Sequence, residues 1–308
     1  MVRSSLQKRV EASLLNRTLP HGGLTDRRGG AFQVDSTVWG ILALRSCGLS
    51  PDALERHCRV LANAQQSDGR ISISKDHPDS FWPTPLMVLA WLQSPSCEAA
   101  LQQAVRFLLN TSGVHLPRKA GAPWAHDTVL HGWPWVDETH SWIEPTVLGI
   151  TALRATGHGK HNRVQEAVQM LLNRQLPHGG WNYGNTLVFG KELHPMPEST
   201  GAALAGLSGM VKRDTVLPSL EYLRGEVARL QTPISLGWSL IGLASWDLWP
   251  SNGAALVERC LANQARYGEY DTAALSLLCL GALSEKHEGK AALTPLHSTA
   301  QQPAATVQ

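Results

Sequence analysis

Apolar residues in this chain gather into two alternating kinds of segment. In one kind they recur at i, i+3, i+4 and i+7, as at Val164, Ala167, Val168, Leu171 and Leu172, with polar residues between them. That stripe is the signature of an amphipathic helix laid on a core, and such segments run into a Gly that ends them. In the other kind apolar residues occupy every side of the helix, over 36–46, 84–93, 145–155, 199–211, 233–246 and 271–284, each entered through a short cluster containing Ser, Thr or Pro. A helix apolar all round is enclosed by other protein. Period-2 alternation is nearly absent, ISISK at 71–75 being its one short instance. The pattern predicts an all-α chain in which buried inner helices alternate with amphipathic outer ones.

Internal repeats organise these helices. LLNRTLPHGG at 14–23 returns as LLNRQLPHGG at 171–180, nine of ten positions identical and 157 residues apart, so the chain is a duplicated half. A finer pattern, Gln-x-x-x-Gly-x followed by an aromatic or aliphatic residue, recurs at Gln65/Gly69/Ile71, Gln175/Gly179/Trp181 and Gln264/Gly268/Tyr270, with Thr18/Gly22/Leu24 as a degenerate copy. The unit is then about 50 residues long, and six two-helix units over 1–287 close into an (α/α)6 toroid whose inner helices form a barrel. Residues 288–308 are rich in Ala, Pro and Gln and are expected to be a disordered tail.

The segment Gln175-Leu-Pro-His-Gly179-Gly-Trp181 resembles the QxxxGxW motif of the terpene cyclases, of the squalene-hopene type, and of the related β subunits of protein prenyltransferases. The resemblance spans roughly residues 3–286 and implies a single α/α toroid that handles an isoprenoid in its lumen. In class II terpene cyclases a DxDD motif stands just before a Thr at the start of an inner helix, and its middle Asp donates a proton. Here 33–37 reads Gln-Val-Asp-Ser-Thr, so the resemblance implies Asp35 as that donor, with Gln33 and Ser36 in place of the outer acids. The zinc-dependent prenyltransferases use an Asp, a Cys and a His. This chain has Asp271 where that His would align and no Asp-x-Cys before it, so no metal and no cofactor is expected.

Aligning the inner helices on their early Thr (Thr37, Thr84, Thr146, Thr200, Thr272) brings a second column into view two residues upstream: Asp35, Trp82, Glu144, Glu198 and Tyr270. Parallel inner helices gather their N-termini around one mouth, so Asp35, Glu144 and Glu198 form a candidate acid site. Helix capping is the competing role for each, since carboxylates favour helix starts. An insertion over 111–141, holding Trp124, His126, Asp127, His131, Trp133, Trp135, Asp137, Glu138 and His140, is expected to form a lid, and a second long connection spans 182–197 on the same side. Trp82, Trp133, Trp135, Trp142 and Trp181, with Tyr270 and His140, are the candidate substrate contacts, whereas Trp39, Trp91, Trp238 and Trp246 fall within inner helices as core. Arg27 and Arg28 could hold a diphosphate or face solvent.

Composition narrows the partners. The 308 residues are 43% hydrophobic and 17% charged, with a formal charge of +2. That balance excludes a disordered chain and makes nucleic acid a poor partner. Eleven Trp beside four Tyr and four Phe point to a need for indole faces. Five scattered Cys without a C-x-x-C pair speak against disulfides and zinc knuckles and for a reducing, cytoplasmic setting. Neither a secretory leader nor a membrane span is expected, and peripheral membrane contact stays open. The leading expectation is an apolar isoprenoid substrate, protonated at an alkene or epoxide by a mouth carboxylic acid. A carbohydrate-active toroid with paired carboxylates and a non-catalytic lipid- or protein-binding toroid are the alternatives.

Overall fold

The structure, a computed structural model, describes residues 5–117, 121 and 125–286; Trp124 and the expected tail over 288–308 lie outside the described residues. Outer helices α1 (Ser5–Leu15), α3 (Pro51–Ala62), α5 (Glu98–Asn110), α7 (Asn162–Asn173), α9 (Arg213–Glu226) and α11 (Gly253–Ala262) alternate with inner ones. The inner helices are α2 (Val34–Ser46), α4 (Thr84–Trp91), α6 (Ile143–Ala155), α8 (Pro197–Leu207), α10 (Pro233–Ala244) and α13 (Thr272–Leu283), with a one-turn helix α12 (Gln264–Tyr267) before the last. The inner helices pack in the order α2, α4, α6, α8, α10, α13 and back to α2, which closes the ring. This is the all-α toroid expected from the periodicity. The two copies of the decapeptide fall in the first and fourth units, on opposite sides.

Short antiparallel hairpins are the strand pairs among the described residues: β1 (Leu24–Thr25) with β2 (Phe32–Gln33), and β3 (Leu187–Val188) with β4 (Lys191–Glu192). The alternating ISISK stretch forms no strand and contributes an isolated bridge between Ser74 and His77. With Ile71 and Ser72 buried and no extended partner beside them, local alternation is overridden by packing.

The repeated motif is a docking device. Gly22, Gly69 and Gly179 have φ of 101°, 98° and 94°, and a Cβ at these positions would come within 2.5 Å of Arg56 O, 2.4 Å of Gln103 O and 2.5 Å of the Pro218 carbonyl carbon. Only Gly can make this left-handed turn while lying flat on the next outer helix. The Gln reaches the same helix: Gln65 Nε2 donates to Ala100 O at 2.9 Å, and Gln175 Nε2 to Ser219 Oγ at 2.8 Å. Two residues after the Gly, or after His131 in the third unit, the backbone N–H of Leu24, Ile71, Trp133 and Trp181 donates to the hydroxyl of Thr37, Thr84, Thr146 and Thr200 at 2.8–3.0 Å. The threonine column thus ties each turn to its inner helix. In the sixth unit the same hydroxyl crosses the seam, Thr272 Oγ1 donating to Thr25 O at 2.6 Å while Thr272 N donates to Asp26 O at 3.0 Å.

Trp133 belongs to this series. Its Gly132-Trp133 pair is the third unit's copy of the motif, separated from α5 by the insertion, so fixed spacing does not find it.

The barrel is narrow on one side. Glycines bring α8, α10 and α13 into backbone contact: a Cβ on Gly201 would lie 2.3 Å from Trp238 O, one on Gly242 2.5 Å from Gly201 O, and one on Gly281 2.7 Å from Gly237 O. Trp39 of α2 and Trp238 of α10, helices not adjacent in the ring, meet edge to face with centroids 6.1 Å apart and an 84° interplanar angle. Both indoles are buried inside the helix ring.

Candidate functional site

Asp35, Glu144 and Glu198 each occupy the second position of an inner helix, α2, α6 and α8. The fold divides them. Glu198 is held on both oxygens, Oε1 accepting from Tyr183 Oη at 3.1 Å and Oε2 from Ser235 Oγ at 2.8 Å. Glu144 is half-buried, and its pKa is pushed up to about 7, chiefly by desolvation and further by the negative charge of Glu198; the Trp238 indole N–H offsets part of this. That N–H is buried and has no full hydrogen-bond partner, so it faces the carboxyl as a spare donor. Asp35 sits in a different group. Burial raises its pKa, Asp26 and Asp271 raise it further, and backbone N–H groups at its own helix start hold it back.

Capping accounts for part of this set. Asp271 is a true cap, accepting from Ala274 N at 2.7 Å, and Asp35 leans on the Ser36 N–H. Neither Glu144 nor Glu198 caps: the residues at the N-cap positions of their helices, Trp142 and Met196, make no side-chain cap, and Glu198 uses both oxygens on hydroxyls. Tyr183 comes from the 182–197 connection, whose backbone also receives the first N–H of α6, Ile143 N to Tyr183 O at 2.9 Å. Sequence spacing marks neither Tyr183 nor Ser235. They reach Glu198 only because the connection folds over the α6 start and α10 packs beside α8.

The aromatic candidates also separate. Trp82 and Trp135 are half-buried and meet edge to face at 5.4 Å, while half-buried Trp142 stacks beside exposed His140 at 4.3 Å. Tyr270 is half-buried, its hydroxyl committed to Cys260 O at 2.6 Å. Trp133 and Trp181 are corrected: they are 1% and 0% exposed, and their indole N–H groups donate to Leu108 O and Leu171 O at 3.1 and 2.7 Å. Both are motif aromatics that pack between an outer and an inner helix and offer no face to a ligand. Arg27 is exposed, 3.8 Å from Asp26.

The 111–141 insertion is strapped down. His131 Nδ1 bonds Glu166 at 2.6 Å, Arg163 lies over the Trp133 ring at 4.1 Å, Asp137 N donates to Asp79 O at 2.9 Å, and Arg70 pairs with Asp137 at 3.2 Å. Asp137 thereby carries the described end of the insertion across to the loop that precedes α4. Among the described residues, no group of three or more His, Cys, Asp or Glu is gathered as metal ligands would be, and no helix is long and apolar enough to cross a membrane.

No protein-family model matches the chain, and no curated protein matches it by sequence. Solved structures do match over nearly the whole length. A protein from Actinoplanes is 15% identical, with a TM-score of 0.58 over 94% of this chain and 99% of that one. The GH76A alpha-1,6-mannanase from Salegentibacter sp. HEL1_6 is 9% identical, with a TM-score of 0.58 over 91% of this chain and 98% of that one. The type II terpene cyclase MstE from Scytonema, in complex with geranylgeranyl dihydroxybenzoate, is 10% identical, with a TM-score of 0.58 over 91% of this chain and 96% of that one. At such identities the likeness is one of fold, and this fold carries both chemistries.

Proposed function

We propose that the chain is an acid catalyst for an isoprenoid substrate, with Glu144 as proton donor at the toroid mouth. One observation carries this: a half-buried carboxyl whose pKa is pushed up to about 7, with the Trp238 indole N–H beside it, is partly protonated at neutral pH. Glu144 gives its proton to one carbon of an alkene, or to an epoxide oxygen. The electron pair that receives it leaves a carbocation behind, and return of a proton to the carboxylate restores the acid. Trp82, Trp135 and Trp142 supply indole faces to the cation, and the strapped insertion keeps water off it. Glu198 raises the acid's pKa by its charge, and Tyr183 and Ser235 hold it in place. Asp35, also raised, is a second candidate acid, set apart from Glu144 in the group with Asp26 and Asp271.

The test is incubation of the full chain with linear polyenes and their terminal epoxides in deuterium oxide. A cyclised or isomerised product carrying one solvent deuterium is expected, and Glu144→Gln abolishes it. Wild-type turnover in Glu144→Gln overturns the assignment.

A glycoside hydrolase is favoured by one observation, the electrostatic coupling of Glu144 to Glu198, which suits a general acid beside a second carboxylate. It would release reducing sugar from an α-mannan and lose activity equally in Glu144→Gln and Glu198→Gln. A binding protein without turnover is favoured by the buried Trp39–Trp238 contact, which fills space between two inner helices. Native mass spectrometry would then find a retained lipid or partner and no product.

A further inference from the structure

Between the insertion of the third unit and the β3–β4 hairpin lies a cavity of about 330 Å³, within the size range of small-molecule sites. Val114, Leu116, Val188 and Phe189 form its apolar wall, and Arg174 and His126 supply polar groups. Arg174 is 2% exposed, yet among the described residues its guanidinium has a single acceptor, Gly184 O, and its Nε–H is buried without a partner. Nδ1 of His126 is likewise buried and unpartnered. Burial pushes the Arg174 pKa down to about 10 and the nearby charge of Asp127 offsets only part of this, so an enclosed guanidinium with so few acceptors is costly.

Its charge dominates the cavity. Burial first, and the Arg174 field after it, depress the pKa of His126 and of His140; His115 is depressed by burial, His131 and Arg174. His115 and His126 both fall to about 4, so they are neutral at physiological pH. The partners of His115 fix its form: Nδ1 must donate to Thr128 O, 2.9 Å away, which leaves Nε2 to accept from Ser141 Oγ at 3.0 Å. The cavity thus combines a positive centre, a neutral imidazole able to donate, and an apolar rim that includes Phe189, 84% exposed at the hairpin tip.

The duplicated decapeptide supplies an internal control. Arg17 occupies the position in the first copy that Arg174 occupies in the second, and it too is buried, at 4% exposure. Its guanidinium donates to Asp26 O at 3.2 Å and Thr272 Oγ1 at 3.1 Å and lies 3.8 Å from Glu269. The same residue at the same helix end is satisfied by protein in one copy and left open to a cavity in the other.

We infer that the Arg174 cavity binds an amphiphilic organic anion, its carboxylate on Arg174 and His126 and its apolar body against Phe189, Val188, Val114 and Leu116. A carboxylate matches the planar fork of Nε–H and Nη–H as a bidentate acceptor, and the wall excludes a bare inorganic ion as the preferred occupant. This site stands independently of the acid chemistry at Glu144.

Isothermal titration of the full chain with 2-naphthoate, its neutral isostere 2-naphthamide and inorganic phosphate is the test. Saturable one-to-one binding of naphthoate is expected, at least tenfold tighter than naphthamide and tighter than phosphate. Arg174→Met should weaken naphthoate at least tenfold. Val114→Glu, at a half-exposed rim position that leaves the fold intact, should weaken it similarly by placing a like charge beside the ligand. Phe189→Ala should cost about threefold, and Glu144→Gln should change nothing. Equal binding of acid and amide, preference for phosphate, or unchanged affinity in Val114→Glu would each overturn the site, whether or not Arg174→Met folds.

Discussion

The first and fourth units carry the same ten-residue helix end, and the structure puts it to different uses. In the first unit Arg17 is part of the weld that closes the ring, reaching Asp26 and Thr272 across the seam between first and last inner helices. In the fourth unit Arg174 looks into a cavity, and the adjoining connection brings Tyr183 onto Glu198. Even the turn is supported differently: Gly23 N donates to His57 Nδ1 at 2.9 Å, whereas Gly180 N donates to Ser219 Oγ at 2.7 Å. A duplicated segment therefore keeps its local conformation and loses its role whenever the segments packed around it change. One half of the ring has become a seam and the other borders a cavity.

The largest expected effect separates the carboxylates. Glu144→Gln should lower turnover of an identified polyene by about a thousandfold, within the range for a lost general acid, while Asp35→Asn on the seam side lowers it far less. Equal losses would place both acids in one machine and break the contrast between the halves. Next come the motif glycines. Gly179→Ala should cost about 4 kcal/mol, because strain at positive φ adds to a collision with the α9 backbone. Gly268→Ala should cost only about 1–3 kcal/mol, because Gly268 faces open space and pays for φ alone. Urea unfolding of both variants measures the difference.

Stability should also depend on pH through Glu144. Its folded pKa of about 7 lies above the unfolded value of 4.5, so the folded state holds the proton more tightly and stability falls as pH rises between those values. The total is at most about 3 kcal/mol, and Glu144→Gln should flatten the profile in that window; an unchanged slope would mean the carboxyl is solvated. The smallest effect is the sharpest test of the duplication. Arg17→Met should destabilise by about 2 kcal/mol through its lost charged hydrogen bonds. Arg174→Met should be neutral or stabilising by about 1 kcal/mol, since it removes a buried charge that Asp127 compensates only in part. Losses of the same sign and size in thermal melts would show the two arginines to be equally satisfied.

Much of this molecule was legible along the chain. Helix type, unit count, ring closure and the opposition of the two decapeptides follow from apolar periodicity and self-similarity, because both report which faces must be buried and how often a unit recurs. The threonine column was legible as well, though its work of tying each turn to its inner helix appears only in the packed fold. Three matters were decided only by tertiary packing. Trp133 and Trp181 read as mouth residues from their place near helix starts, yet their indoles turn into the wall, because the motif's extended backbone points that side chain between helices. The raised pKa of Glu144 depends on what packs around it, Glu198 of α8 and Trp238 of α10 among them, and desolvation is a property of neighbours that spacing cannot show. Arg17 and Arg174 are the plainest case: nothing local distinguishes them, and only long-range contacts, Thr272 for one and a cavity for the other, decide whether a buried guanidinium is already paired or still open to a ligand.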